Sequence, residues 1–428
     1  MLVNHRVSRD ERSDQTIMMT NPCDKARSLS VLAESRAYTD ALFGLLRSDA
    51  FYERPVPERH RLIFYLGHLE AFDWNLISRE LTLPPCHADL DHLFAFGIDP
   101  APGRMADDVP SDWPSVMQVT QYNAHVRASV DRVVDDVSET IVDVALEHRL
   151  MHAETLSYLF HNLPLESKLV RPLRRAGAGP PPIDRMIDIA EGQATLGQCS
   201  EVRDSHRAYG WDNEFSEHTV FVPAFAISRH KITNGAYLEF VREGGPPPYF
   251  WRRRGDQWFW RTMAGDVSLP LDWPVYATHE HAQAYANWAG RSLPSEAQFH
   301  RAAFGMPGGG ERRYPWGDAP PDRSYGNFDF QRWDPISVTA SPGGDSAFDV
   351  SQLVGNGWEW TSTIFHPFPG FESFSFYPNY SAPFFDGCHY ILKGGSSRTA
   401  ARLLRRSFRN WFRPGYPYVY AGFRCVDN

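Results

Sequence analysis

Between about Leu29 and Leu163, apolar residues return every three or four positions, the period of a helix that buries one face. Four segments carry the pattern: RSLSVLAESRAYTDALFGLL, PVPERHRLIFYLGHLEAFDWNLI, WPSVMQVTQYNAHVRASVDRVVDDV and SETIVDVALEHRLMHAETLSYLFHNL. Prolines opening the second segment suit a first helical turn, and Ser138 at the head of the fourth is placed as an N-cap. Four amphipathic helices in succession predict a four-helix bundle. The connection PPCHADLDHLFAFGIDPAPGRMADDVPSDWP, between the second and third, is long for a compact domain, and loops of that length tend to carry function.

After the Pro/Gly-rich KLVRPLRRAGAGPPPI the pattern changes. Short β-like runs such as HTVFVPAFAIS and HYILKGGSS alternate with loops rich in Gly, Pro and Trp, and two helices are expected at THEHAQAYANWAGR and PSEAQFHRAAFG. The expected fold is α+β, a helical bundle followed by a domain with little regular structure. Its parts are a disordered tail at 1–28 (with Met18 or Met19 as an alternative start), the bundle at 29–167, a linker at 168–183 and the second domain at 184–428. Aromatic residues make up 14% of the chain, with 13 Trp and 28 Phe, so ring packing must supply much of the second core.

A formal net charge of −9 argues against a nucleic-acid or anionic-membrane partner, and no apolar run reaches the length of a membrane span. The five cysteines are widely spaced without a CxxC, which fits a reducing compartment and excludes a Cys-rich zinc site. A cytoplasmic protein is expected.

His148 and His152 lie four residues apart in EHRLMHAETL and project from one helix face. Such a pair fits surface or interhelix histidines as readily as a chelate. His68 changes the balance, because it lies among Leu66, Leu69 and Phe72, where an unpaired imidazole would be poorly solvated. Bundles build metal sites from inward side chains on facing helices. Three imidazoles without a thiolate suit iron, zinc, copper or nickel and leave coordination positions open. Glu154 is turned roughly 200° from His152, and is either an outer partner of the ligands or a structural contact. His60, His87, His92 and His161 fit no ligand spacing.

The HxxxHxE string with His68 upstream resembles the DinB-type bundle of the ergothioneine-family sulfoxide synthases. The second half resembles the formylglycine-generating-enzyme (sulfatase-modifying factor) fold, a C-type-lectin-like domain. Its motifs are SRHKITNGAYLEFV, WPVYATHEHAQAYANWAGRSLPSEAQFHRAA, YPWGD, VGNGWEWT, LKGGSS and AGFRC, in that order. The resemblance implies one Fe(II) held by His68, His148 and His152, with O2 as co-substrate. It implies sulfur or selenium joined to the imidazole C2 of hercynine, the Nα-trimethylated histidine. Asn410 and Trp411 would surround the trimethylammonium, a cation that aromatic faces and amide oxygens hold without a full counter-charge. Tyr377 would donate a proton or hydrogen atom, and Tyr380 would contact substrate.

The chain also departs from the mycobacterial-type pattern. Met151 replaces a Gln directed at hercynine, Phe72 replaces a polar group, and Phe412 and Arg413 follow FRNW where an Asp helps hold γ-glutamyl-cysteine. Another subgroup has a tyrosine pair where this chain has Ala95 and Phe96. A donor site of Phe412, Tyr416 and Tyr418 suits a neutral sugar face better than a charged dipeptide. This favours a selenosugar donor and the selenoneine-synthase branch over cysteine or γ-glutamyl-cysteine. Formylglycine generation requires a cysteine pair soon after GGS, and GGSSRTAARLLRR has none. The alternative from another class is a non-catalytic metal-binding bundle with a lectin-like binding module.

Overall fold

The structure is a computed structural model that describes residues 22–95, 107–170, 179–199 and 209–428. The expected tail through residue 21, linker residues 171–178 and Phe96 lie outside these. The first part is helical: α1 (Pro22–Phe43), α2 (Leu62–Leu81), α3 (Ala88–Leu93), α4 (Val116–Val133) and α5 (Glu139–Asn162). The four long helices match the four periodic segments, with α1 beginning inside the stretch read as tail. The short α3 sits within the long connection. Helix α2 packs on α4 and α5, and α1 packs on α5.

Helix α4 opens on a capping box, in which Ser115 Oγ accepts from the Gln118 amide at 3.3 Å and Gln118 Oε1 accepts from the Ser115 amide at 2.9 Å. Ser138 does stand at the N-cap of α5 with extended backbone, but its side chain makes no capping bond. Its amide donates instead to Glu80 Oε1 on α2 at 3.2 Å.

The second part contains α6 (Asn234–Arg242), α7 (His279–Trp288) and α8 (Glu296–Phe304), the last two where expected. Helix α6 was not anticipated from its sequence, since NGAYLEFVR is short and carries a glycine near its start; Thr233 caps it, accepting from the Ala236 amide at 3.1 Å. Its strands are β1 (Met186–Ile189), β2 (Gly192–Leu196), β3 (His218–Val222), β4 (Phe225–Ser228), β5 (Trp251–Arg254) and β6 (Gln257–Thr262). They continue with β7 (Gly265–Ser268), β8 (Trp358–Ile364), β9 (Tyr390–Lys393), β10 (Asn410–Phe412), β11 (Ala421–Gly422) and β12 (Val426–Asp427). They form four small sheets, ordered β1-β4-β12, β2-β3, β5-β6-β7 and β10-β9-β8-β11. No helix among the described residues is long and apolar enough to cross a membrane.

The sheet β10-β9-β8-β11 faces the bundle. Trp411 on β10 pairs with Ile391 on β9, and β11 runs parallel to β8. After β9, Gly394 and Gly395 adopt φ values of +91° and +89°, which only glycine holds without strain. That turn carries Ser396 and Thr399 toward α5. One apolar cluster then runs through both parts, from Leu156 and Tyr158 of α5 to Trp358 and Tyr420.

Polar groups on α5 are satisfied across the same seam. Glu147 accepts from Trp211 Nε1 at 2.9 Å and pairs with Arg405 at 2.7 Å, and Arg405 also pairs with Glu214 at 2.5 Å. Both carboxylates are essentially fully buried. Removing one partner of a buried ion pair leaves an uncompensated charge and costs about 3–5 kcal/mol. Arg405→Ala should therefore lower unfolding free energy by about that amount, read from urea denaturation followed by tryptophan fluorescence. A loss below about 1 kcal/mol would mean the cluster behaves like a surface pair.

Candidate metal centre

His68 projects from α2, and His148 and His152 from α5, with one ring nitrogen of each inside a group spanning 4.8 Å. All three are buried. His68 Nδ1 donates to the Phe94 carbonyl at 2.6 Å, which fixes the tautomer and leaves the Nε2 lone pair without a partner. The Nε2 atoms of His148 and His152 are 3.1 Å apart, while their Nδ1 atoms are buried without hydrogen bonds. Two imidazole nitrogens at right angles on one ion, each about 2.1 Å from it, stand about 3.0 Å apart. The close pair is thus the spacing that one shared ion would impose.

Burial pushes the His68 imidazolium down to about 4 and holds His148 and His152 well below the usual histidine range, with neighbouring histidines adding to the effect at both. The rings are therefore neutral, as metal ligation requires. An Nε2 donor on His68, an Nε2 pair on α5 and no carboxylate among them fit a divalent first-row ion such as iron(II).

Aromatic rings wall the group. Phe64 stacks on His68 with centroids 4.8 Å apart, and Phe72 stacks on His148 at 3.5 Å and 12°. From Phe72 a line of rings leads into the second part. Tyr377 meets Phe72 at 5.4 Å, Tyr380 meets Tyr377 at 5.6 Å, and Trp411 meets Tyr380 at 5.5 Å. Three of the residues named from sequence thus lie on one path to His148. Asn410 precedes Trp411 on β10, and its Oδ1 accepts from the Trp411 amide at 2.9 Å. Tyr380 Oη donates to Met151 Sδ at 3.5 Å, so the methionine at that departure is a domain contact.

Glu154 is not beside the ligands. It accepts from Trp358 Nε1 at 2.8 Å, from Ser396 Oγ at 2.5 Å and from Thr399 Oγ1 at 2.7 Å, and so fastens α5 to the second part. His161 does the same, bonding the Arg261 carbonyl at 2.9 Å and Tyr420 Oη at 3.1 Å. Phe412 stacks on Tyr416 at 5.1 Å, and Tyr418 meets Tyr416 edge-on at 5.1 Å. Tyr416 Oη accepts from Arg59 Nε at 3.1 Å, and Arg59 is near enough to His152 to disfavour its protonation. This aromatic group therefore sits on the His152 side.

Sequence reading missed the residues that hold the site in place. Trp211 stacks on Tyr380 at 4.0 Å, and Asp212 bonds Ser381, four residues beyond Tyr377. Neither stands in a recognisable motif. Gly67 was missed as well: a Cβ there would lie 2.5 Å from the Phe94 ring.

Two variants test the centre. His148→Ala should abolish stoichiometric iron, measured by elemental analysis, with the helical circular dichroism retained; full occupancy would remove His148 from the ligand set. Gly67→Ala should push Phe94 away, break the His68–carbonyl bond and weaken metal affinity about 10- to 100-fold, read by chelator competition.

Comparison with known proteins agrees with the geometry. A family model for the sulfatase-modifying factor enzyme 1-like domain matches residues 175–428. A hercynine oxygenase from Mycolicibacterium thermoresistibile is 35% identical over 348 residues, covering 73% of this chain and 75% of that protein. A hercynine oxygenase from Mycobacterium tuberculosis is 40% identical over 235 residues, covering 50% of this chain and 55% of that protein. Ergothioneine biosynthesis protein 1 of Schizosaccharomyces pombe is 28% identical over 435 residues, covering 90% of this chain and 54% of that protein. The chain belongs to the family of the hercynine oxygenases, the O2-dependent sulfoxide synthases of ergothioneine biosynthesis, with a sulfatase-modifying factor domain as its second part.

Proposed function

We propose that this chain joins a sulfur or selenium donor to the imidazole C2 of hercynine, using iron(II) and O2. The observation that carries the reading is the neutral, buried His68–His148–His152 group linked through Phe72, Tyr377 and Tyr380 to Trp411. For a thiol donor, one C–H and one S–H bond are lost and a C–S bond and a sulfoxide oxygen are gained. One atom of O2 becomes that oxygen and the other leaves as water, so the four electrons taken by O2 match the two oxidations. Iron(II) held by the three Nε2 atoms would supply open positions that gather the reactants and the capacity to pass electrons to O2.

The chain's own groups divide the remaining work. Phe365 covers one face of Trp411, stacking at 4.2 Å and 7°, which holds the indole rigid as an aromatic surface for the trimethylammonium. Phe72 against His148 keeps water from that side of the centre. Tyr377 Oη holds a proton, because burial first and Asp212 second push its phenol up to about 12. A phenol so placed can lend a proton or hydrogen atom while adding no charge beside neutral ligands.

For the donor we favour a neutral selenosugar. The support is the stacked Phe412–Tyr416 pair in place of a carboxylate. The second reading is a thiol bearing a carboxylate, such as cysteine or γ-glutamyl-cysteine, and Arg59 beside Tyr416 favours it. Incubation of the iron enzyme under air with hercynine and a panel of thiols and selenosugars, followed by mass spectrometry, decides between them. Turnover only with cysteine or γ-glutamyl-cysteine would exclude the selenosugar.

Two variants separate binding from chemistry. Trp411→Ala should weaken hercynine affinity roughly 5- to 30-fold, the loss of a desolvated cation–π contact of about 1–2 kcal/mol, without weakening the donor. An effect on the donor alone would reverse the assignment of the two subsites. Tyr377→Phe keeps the ring, so iron loading should persist, while C–S or C–Se formation falls at least about tenfold and oxidation of the donor alone rises. Unchanged turnover would make Tyr377 a packing residue.

A further inference from the structure

The turn that carries Tyr377 and Tyr380 meets Arg79 of α2, which donates to the Phe376 carbonyl at 3.2 Å, and on its other side one short segment, Trp211–Asn213. The Trp211 ring lies on Tyr380 at 4.0 Å and reaches the Tyr377 ring at 6.4 Å. Ser381 Oγ donates to Asp212 Oδ1 and accepts from Asn213 Nδ2 at 2.9 Å. The Asp212 carboxylate thus grips the turn at Ser381, four residues beyond Tyr377. Asp212 and Ser381 are both buried, at 1% and 0% exposure.

That grip does not account for the whole side chain. Asp212 Oδ2 is buried without a well-formed hydrogen bond, and no cation among the described residues pairs with the group. A serine or asparagine could anchor the turn without the expense of burying a charge. Of the groups packed around Tyr377, Phe72 on α2, Trp211 and Tyr380 are neutral, and Asp212 is the charged residue that acts on its hydroxyl.

We propose that Asp212 is the positioning carboxylate of Tyr377: through Ser381 it fixes the turn that carries the phenol, and it brings a buried negative charge to that side of the turn. A negative charge nearby destabilises a phenolate, so a proton lent by Tyr377 Oη must return within the cycle. The proton lost from C2 of the imidazole can replace it, which leaves Tyr377 unchanged and the proton count balanced. This inference rests on the proposed role of Tyr377.

Asp212→Asn tests it, because the amide keeps the shape and an acceptor for Ser381 but removes the charge. With 3-fluorotyrosine at position 377, the zinc-substituted protein gives a 19F signal that follows ionisation of this one phenol. The midpoint should fall in Asp212→Asn relative to the parent, with thermal stability and metal stoichiometry maintained. In the iron enzyme the same variant should raise the fraction of donor oxidised without coupling at least about threefold, and it should add nothing in a Tyr377→Phe background. An unmoved 19F midpoint, an unchanged product ratio, or a further loss beyond Tyr377→Phe would each overturn the assignment. If Asp212→Asn does not fold, Ser381→Ala keeps the charge and removes the grip. It should shift the product ratio in the same direction, and an unchanged ratio again overturns the proposal. The two readings fail separately: a silent Tyr377→Phe removes both, whereas a diverting Tyr377→Phe with a silent Asp212→Asn removes Asp212 alone.

Discussion

Helix α5 is buried on nearly every side between Ile141 and His161, and that constraint orders the rest of the molecule. A helix with one wet face can leave its charges in water, but here Glu147, His148 and Arg149 are consecutive and all inside. Each polar group must then find a partner or cost several kcal/mol. Glu147 takes Trp211 and Arg405, and Glu154 takes Trp358, Ser396 and Thr399. Arg149 turns inward to Glu70 at 2.8 Å and Asp73 at 2.7 Å, and Ser157 receives Arg398. His148 and His152 have only each other. At that group the satisfaction of α5 is open to an ion.

The same constraint explains why the second part is attached as it is. Its loops are not independent of the bundle, because the groups that satisfy α5 come from the turn after β9, from β8 and from the Trp211 segment. Those same stretches position Tyr380 and Trp411. The rings proposed to meet substrate and the groups that join the two parts thus share a framework, so the distance from Trp411 to the histidines is set by the seam and not by a flexible hinge. The charged groups of the Arg405 cluster lie on this seam, so its electrostatics help set the geometry of the histidine group and the rings beside it.

Much of the site was legible before any fold was known. The four helical periods, the i, i+4 histidines and the apolar surroundings of His68 follow from residue spacing, because helical period and side-chain direction are local properties. Motifs in order along the second half marked its fold, although α6 escaped because nine residues with an early glycine give a weak period. Ser138 shows the limit of local signals: the residue type and position suit a cap, but the hydroxyl makes no capping bond.

Residue types and their spacing alone say which side chains are chemically able to bind a metal and which helix faces they share. What Glu154, His161, Trp211 and Asp212 do is settled by the fold, since each acts through a partner distant in the chain: 242 residues from Glu154 to Ser396, and 169 from Asp212 to Ser381. Glu154 read as an outer partner of the metal or a structural contact, and the choice turned on which surface covered that side of α5. Burial gives a carboxylate its role, and burial is a property of what packs against it, which no spacing along one helix encodes.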